Sequence, residues 1–128
     1  MNDAPCPCGS GGAYAACCGR WHDGPLHLQA PDAEALMRSR YSAYVRDDLA
    51  YLRATWAPET CPDDLAPNPP GLRWLGLEVR RHTVLDADHA TVEFVARSKL
   101  GGRAQRLHET SRFERRGGLW LYVDGVLR

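Results

Sequence analysis

The sequence predicts an α+β chain: a chelating cysteine knuckle, then helices packed on a curved antiparallel four-stranded sheet. Three observations carry this. Four of the five cysteines fall within the first 18 residues. Apolar residues between Asp32 and Trp56 recur at helical spacing, whereas from Arg73 onward the period drops to two. Breakers at Asp86-Ala87-Asp88, Gly101-Gly102 and Gly117-Gly118 cut that second region into four segments. Helices followed by a run of hairpin-linked strands is the α+β order, and twist curls such a sheet around the helices.

The knuckle is read from spacing. Cys6 and Cys8 are separated by one residue, and Cys17 and Cys18 are adjacent, so neither pair closes a comfortable disulfide. Four thiolates at about 2.3 Å form the closed, tetrahedral type of zinc site, which leaves no position for water or substrate. Gly9, Gly11 and Gly12 allow a tight turn that aims amides at the sulfurs, and Ala13–Ala16 reads as one helical turn returning Cys17 and Cys18. One structural zinc ion per chain is the expectation. A redox or disulfide pair and an iron–sulfur or other soft-metal centre are the alternatives, although the C-x-x-C redox motif is absent.

Trp21–Ala30, broken by Gly24-Pro25, reads as a linker carrying His22 and His27. Asp32 is an N-cap, with Glu34 in the first turn and Met37, Tyr41, Tyr44 and Val45 along one apolar face. Asp47-Asp48 breaks this helix and caps another, whose stripe is Leu49, Leu52 and Trp56, ended by Pro58. Residues 57–72 hold Pro58, Pro62, Pro67, Pro69, Pro70 and Gly71 and predict an irregular loop, with Cys61 a bystander. Strands are expected at Arg73–Val84, His89–Lys99, Arg103–Arg115 and Leu119–Val126, with His82 and His89 exposed beside the first hairpin.

Net charge is zero, but residues 73–116 carry nine Arg and Lys99 against six acids. Such an imbalance is read first as a solvated face and second as a nucleic-acid footprint. No segment is apolar and long enough to span a membrane, and neither an export nor a lipidation signal is visible. Reduced cysteines then place the protein in the cytoplasm.

A pocket is predicted from strand parity. Leu107, Glu109, Ser111 and Phe113 share the inward face of the third strand. A buried Glu109 needs a partner, and Arg38, Arg40 and Arg97 are the candidates for an internal ion pair. The functional alternative makes Glu109 a pocket acid or base, with Tyr41 or Tyr44 donating to a bound oxyanion. Arg38 and Arg40 lie about 200° apart on the helix, so one is expected to enter the sheet's concavity and the other to reach solvent or the knuckle. Trp56, Trp74 and Trp120 read as packing residues rather than a base-stacking platform. Nucleophile elbow, phosphate loop, H-E-x-x-H and dinucleotide fingerprint are all absent, so no catalytic constellation is recognised.

Cys6-Pro7-Cys8-Gly9-Ser10-Gly11, an eight-residue gap and Cys17-Cys18-Gly19 resemble the zinc motif at the carboxyl end of the SecA translocation ATPase. That resemblance implies zinc and docking to other proteins. Lysines common before the last two ligands are replaced here, at Gly12, Ala13, Ala15 and Ala16. The wider chain resembles the YchJ-like bacterial proteins, through Leu36-Met37-Arg38-Ser39-Arg40-Tyr41-Ser42-Ala43-Tyr44, Phe94-Val95-Ala96-Arg97, His108-Glu109 with Ser111-Arg112-Phe113, and Trp120 with Tyr122-Val123-Asp124-Gly125. It implies a zinc motif over residues 1–24 and a nuclear transport factor 2-like, or ketosteroid isomerase-like, cone over 25–128. On this reading the protein is a cytoplasmic adaptor for a protein partner, with RNA or the ribosome a variant and a homodimer through the open sheet face. A small-molecule protein or enzyme using the cone cavity and Glu109 is the alternative.

Overall fold

A computed structural model describes residues 4–128; Met1–Asp3, the start of the knuckle segment, lie outside the described residues. A 3₁₀ turn at Tyr14–Ala16 precedes α1 (Gly19–His22), α2 (Ala33–Val45), α3 (Leu49–Ala54), β1 (Arg73–Asp86), β2 (His89–Leu100), β3 (Arg103–Arg116) and β4 (Leu119–Leu127). The four strands form one antiparallel meander in the order β1-β2-β3-β4. Both Gly-Gly pairs sit at positive φ, as a two-residue type I′ hairpin requires, and they close Leu100 on Arg103 and Arg116 on Leu119. Strand limits therefore fall within two residues of those read from the sequence.

Helix α2 begins where Asp32 Oδ1 accepts from the Ala35 amide at 2.7 Å. It ends in a Schellman turn, with Asp48 N–H donating to Ala43 O (2.8 Å) and Asp47 N–H to Tyr44 O (3.3 Å). Asp47 takes the left-handed conformation (φ 55°) usually given to glycine there. Its carboxylate accepts from the Asn68 amide at 2.8 Å, which ties down the proline-rich loop. Asp48 then caps α3 by accepting from Tyr51 N–H at 3.1 Å.

The single apolar face expected for α2 is too simple. Met37 and Tyr41 are buried toward the sheet, but Ser39 and Ser42 on other faces have no exposed surface. Ser39 bonds its hydroxyl back to Leu36 O (2.7 Å), so it adds no unpaired polar group when a second layer covers it. That second layer is the knuckle, α1 and α3.

Helix α3 stops at Ala54, two residues short of the expected stripe. Thr55–Ala57 instead lies along β4: Tyr122 N–H donates to Thr55 O and Ala57 N–H to Tyr122 O, both at 2.8 Å. This segment covers β4's open edge and places Trp56 edge-on to Tyr122. Bulges in β1 at Trp74/Gly76, Val79/Arg81 and Val84/Asp86, and in the β3–β4 pairing beside Arg112/Phe113, bend the sheet around α2. The core between them holds Leu36, Leu52, Tyr51, Val92, Phe94, Phe113 and Trp120. His89 is exposed and paired with Asp86, but His82 is half-buried, its Nδ1 3.8 Å from Glu34 Oε1, because β1 curls under α2. Among the described residues no helix is long and apolar enough to cross a membrane.

Candidate functional site

The knuckle is a miniature hairpin. Tyr14 N–H donates to Ala4 O (2.8 Å) and Cys6 N–H to Gly12 O (2.9 Å), while Gly9 and Gly11 turn the chain at φ 79° and 89°. The 3₁₀ turn and α1 then return Cys17 and Cys18. Gly19 is obligatory for room: an added Cβ would lie 2.8 Å from Tyr14 O and 2.9 Å from its ring. All four sulfurs, of Cys6, Cys8, Cys17 and Cys18, lie within 4.8 Å of one another. Cys8 Sγ and Cys17 Sγ are 3.7 Å apart. A tetrahedron with bonds of about 2.3 Å has edges of about 3.8 Å, so the donor set fits a four-thiolate metal site.

Local electrostatics place the first negative charge of that set on Cys8, while burial pushes the Cys17 thiol up. Cys8 has no exposed surface, yet it is held down at about 4, first by the thiol of Cys18 donating to its sulfur and then by Ser10. Donation to Cys8 and burial push the Cys18 thiol up. Ser10 Oγ sits 3.1 Å from Cys17 Sγ, so the amide cradle foreseen for the sulfurs includes a hydroxyl.

The knuckle rests on α2 through three contacts. Cys6 Sγ lies 3.5 Å from Ser42 Oγ, Arg38 donates to Cys8 O at 3.0 Å, and His22 donates through Nε2 to Ser39 O at 2.7 Å. Reading His22 as a linker residue is therefore corrected. It is 8% exposed, accepts from Tyr14 O–H at Nδ1 (2.6 Å), and packs at a tilt against the Tyr51 ring. His27 is exposed. A four-residue helix leaves no periodic signal, which is why α1 and its histidine are hard to see in the sequence.

His22 must be neutral to accept from Tyr14, and burial lowers its pKa from the ordinary 6.5. The unfolded chain thus takes up the proton first, so this stability is present above about pH 6.5 and is lost as pH falls. In full-length protein the wild-type melting midpoint should drop more steeply below pH 6.5 than that of His22→Gln, whose amide keeps a donor and an acceptor. Parallel pH profiles would refute this role for His22.

The second site is a cavity of about 290 Å³ between α2 and the concave sheet face. Its walls include Met37, Trp74, Phe94, Leu107 and Phe113, with Arg40, Tyr44, Glu109, Ser111 and Tyr122 supplying polar atoms. Glu109 faces inward, as its strand parity requires. Its carboxylate meets no arginine among the described residues: Ser111 Oγ donates to Oε2 at 2.6 Å and Tyr122 O–H at 3.3 Å. The internal ion pair is thus replaced by hydroxyl donors. Arg38 has turned to Glu34 and the knuckle, and Arg97 to Glu78 on the outer surface. Arg40 alone enters the cavity wall, 5% exposed, donating to Leu52 O (2.9 Å) and Thr55 Oγ1 (2.7 Å). Tyr41 is buried edge-on to Trp74, and Tyr44 lies beside Arg40, its hydroxyl pKa raised by burial.

Gly125 completes this wall. A Cβ there would fall inside the Glu109 carboxyl group, so the glutamate occupies room that glycine leaves open on β4. A glycine inside a strand pattern is the sequence signal for such a close approach.

Residues 32–125 match the family described as YchJ, middle NTF2-like domain, and residues 4–20 match the SEC-C motif. The chain belongs to the YchJ-like family. Relatives of this YchJ-like chain carry the UPF0225 designation. That of Bordetella parapertussis is 58% identical, covering 98% of this chain and 94% of the relative, and that of Methylibium petroleiphilum 63%, covering 96% and 88%. The crystal structure of a SEC-C motif containing protein from Psychrobacter arcticus superposes with a TM-score of 0.76 at 29% identity, covering 98% of this chain and 83% of that one. The solution structure of a SEC-C motif containing protein from Rhodopseudomonas palustris gives 0.68 at 34% identity, covering 95% and 97%. In the YchJ-like chain, the SEC-C region holds the sulfur cluster and the NTF2-like region the cavity, and α1 begins within the SEC-C region and runs two residues past it.

Proposed function

We propose that Cys6, Cys8, Cys17 and Cys18 hold one structural zinc ion and that the protein is a zinc-braced adaptor. Its knuckle and cone together present a docking surface to a protein partner. The observation that carries this reading is the sulfur cluster's placement. Cys6, Cys8 and Cys18 face inward against α2, while Ser10, Gly11, Gly12, Ala15, Ala16 and Arg20 stay exposed. Four thiolates close the metal's coordination shell, so zinc would supply geometry to that outer surface and no open position for substrate. Lysine-free flanks favour a protein partner over direct grip on RNA.

Metal analysis of protein purified without added metal should give about one zinc per chain; an iron-rich or strongly substoichiometric result overturns the zinc assignment. Affinity capture should then compare wild type with Cys17→Ser/Cys18→Ser, each with and without ribonuclease. Partners held by wild type, lost from the variant and unaffected by ribonuclease support the reading. Identical sets from both proteins refute docking through the knuckle, and release by ribonuclease transfers the role to a ribonucleoprotein.

A further inference from the structure

We propose that the cone cavity binds a small amphipathic acid carrying a hydrogen-bond donor next to its carboxylate, the chemistry of an apolar α-amino or α-hydroxy acid. This goes beyond the docking reading, since no cysteine of the metal cluster lines the cavity. Arg40 is the first anchor. Its guanidinium is buried, and Nη1 spends its protons on Leu52 O and Thr55 Oγ1. Trp56 and Tyr122 rings lie 4.6 and 4.7 Å from its centre. Among the described residues no carboxylate pairs with it. A buried cation without a counter-ion is costly, and beyond Nη1 no hydrogen bond from Arg40, which lines the cavity, is made among the described residues. Its planar fork suits a carboxylate.

Glu109 is the second anchor. Both of its donors, Ser111 and Tyr122, land on Oε2, which leaves Oε1 without a donor in a side chain that lines the cavity. Tyr122 links the two anchors, with Arg40 over its ring and Glu109 at its hydroxyl. A bare carboxylate held by Arg40 would be repelled by Glu109. An ammonium or hydroxyl on the adjacent carbon removes that repulsion by donating to Oε1. Met37, Trp74, Phe94 and Leu107 then receive the apolar body. At about 290 Å³ the cavity sits at the small end of the roughly 300–1,000 Å³ range of ligand pockets, which limits the occupant to one ring or a short branched chain.

The test titrates zinc-loaded full-length protein with four probes that share one phenyl body: L-phenylalanine, L-3-phenyllactate, 3-phenylpropionate and 2-phenylethylamine. The indole N–H of Trp74, buried and without a partner among the described residues, reports by NMR. Either or both of the first two probes should shift it saturably, at least about tenfold more tightly than 3-phenylpropionate or 2-phenylethylamine. Their relative affinities assign the donor as amine or hydroxyl. Glu109→Gln should erase the advantage over 3-phenylpropionate, and Arg40→Gln should abolish binding of all three acids. If Arg40→Gln does not fold, the Glu109→Gln comparison still decides. No saturable shift with phenylalanine or phenyllactate up to about 10 mM overturns the proposal, as does equal or tighter binding of 2-phenylethylamine. Equal binding of 3-phenylpropionate by the wild type overturns the adjacent-donor chemistry.

Discussion

Stripping the zinc ion proposed for the knuckle with a chelator, or replacing Cys8 by serine, should disorder the knuckle and lower the melting midpoint of the remaining domain by roughly 10–20 °C. The first part follows from the energy of structural zinc, about 10–16 kcal/mol of apparent binding free energy in short peptides. That is comparable to the whole stability of a domain, about 5–15 kcal/mol. The second part follows from the contacts between the knuckle, α1 and α2. Cys6 to Ser42, Arg38 to Cys8 O and His22 to Ser39 O join the knuckle and α1 to α2. Each such contact contributes about 1 kcal/mol, and about 3 kcal/mol moves the midpoint of a domain this size by the stated amount. Amide exchange should accordingly accelerate at Ser39, Ser42 and Ala43 together with Cys6–Gly19, while β2 and β3 amides stay protected. A midpoint shift below about 5 °C would show that the knuckle rides on the cone without supporting it.

What the sequence makes legible is what short-range chemistry decides. Glycine pairs at Gly101-Gly102 and Gly117-Gly118 define the hairpins because only glycine takes both positive φ values cheaply, so strand boundaries follow from them. Asp32 marks the start of α2 through its side-chain cap. The cysteine spacing encodes a cluster because neighbouring thiols that cannot bridge one another can still converge on one ion. Long-range choices are less visible. Helical geometry separates Arg38 from Arg40 but cannot say which enters the cavity; that depends on the knuckle offering Cys8 O to one and α3 offering Leu52 O to the other. Strand parity turns Glu109 inward, yet its partners come from Ser111 two residues along and Tyr122 on the next strand, where a bulge sets the register. Ser39 and Ser42 look like a solvent face of α2 until α1 and the knuckle cover them.

Gly125→Ala should destabilise the protein by about 1–3 kcal/mol, and the whole cost should vanish once Glu109 is shortened to alanine. Gly125 pairs with Ser111 across β3 and β4, and its φ is not in the left-handed region, so backbone freedom is not the reason for glycine here. Space is the reason. The Glu109 side chain lies over Gly125, and a methyl group there would occupy the carboxyl's place. Glu109 must then swing away, abandoning the Ser111 and Tyr122 hydroxyls and leaving buried Ser111 Oγ without its acceptor. In an Glu109→Ala background the methyl meets nothing and those bonds are already gone. A double-mutant cycle should therefore give an interaction energy of about 1–3 kcal/mol, whereas independent sites add to within about 0.3–0.5 kcal/mol. Additive costs would mean that Gly125 serves the strand and not the carboxylate. Because the same displacement removes Oε1 from the cavity, Gly125→Ala should also reproduce the ligand preference of Glu109→Gln. That coupling would tie the glycine of β4 to the acid-binding cavity through one side chain.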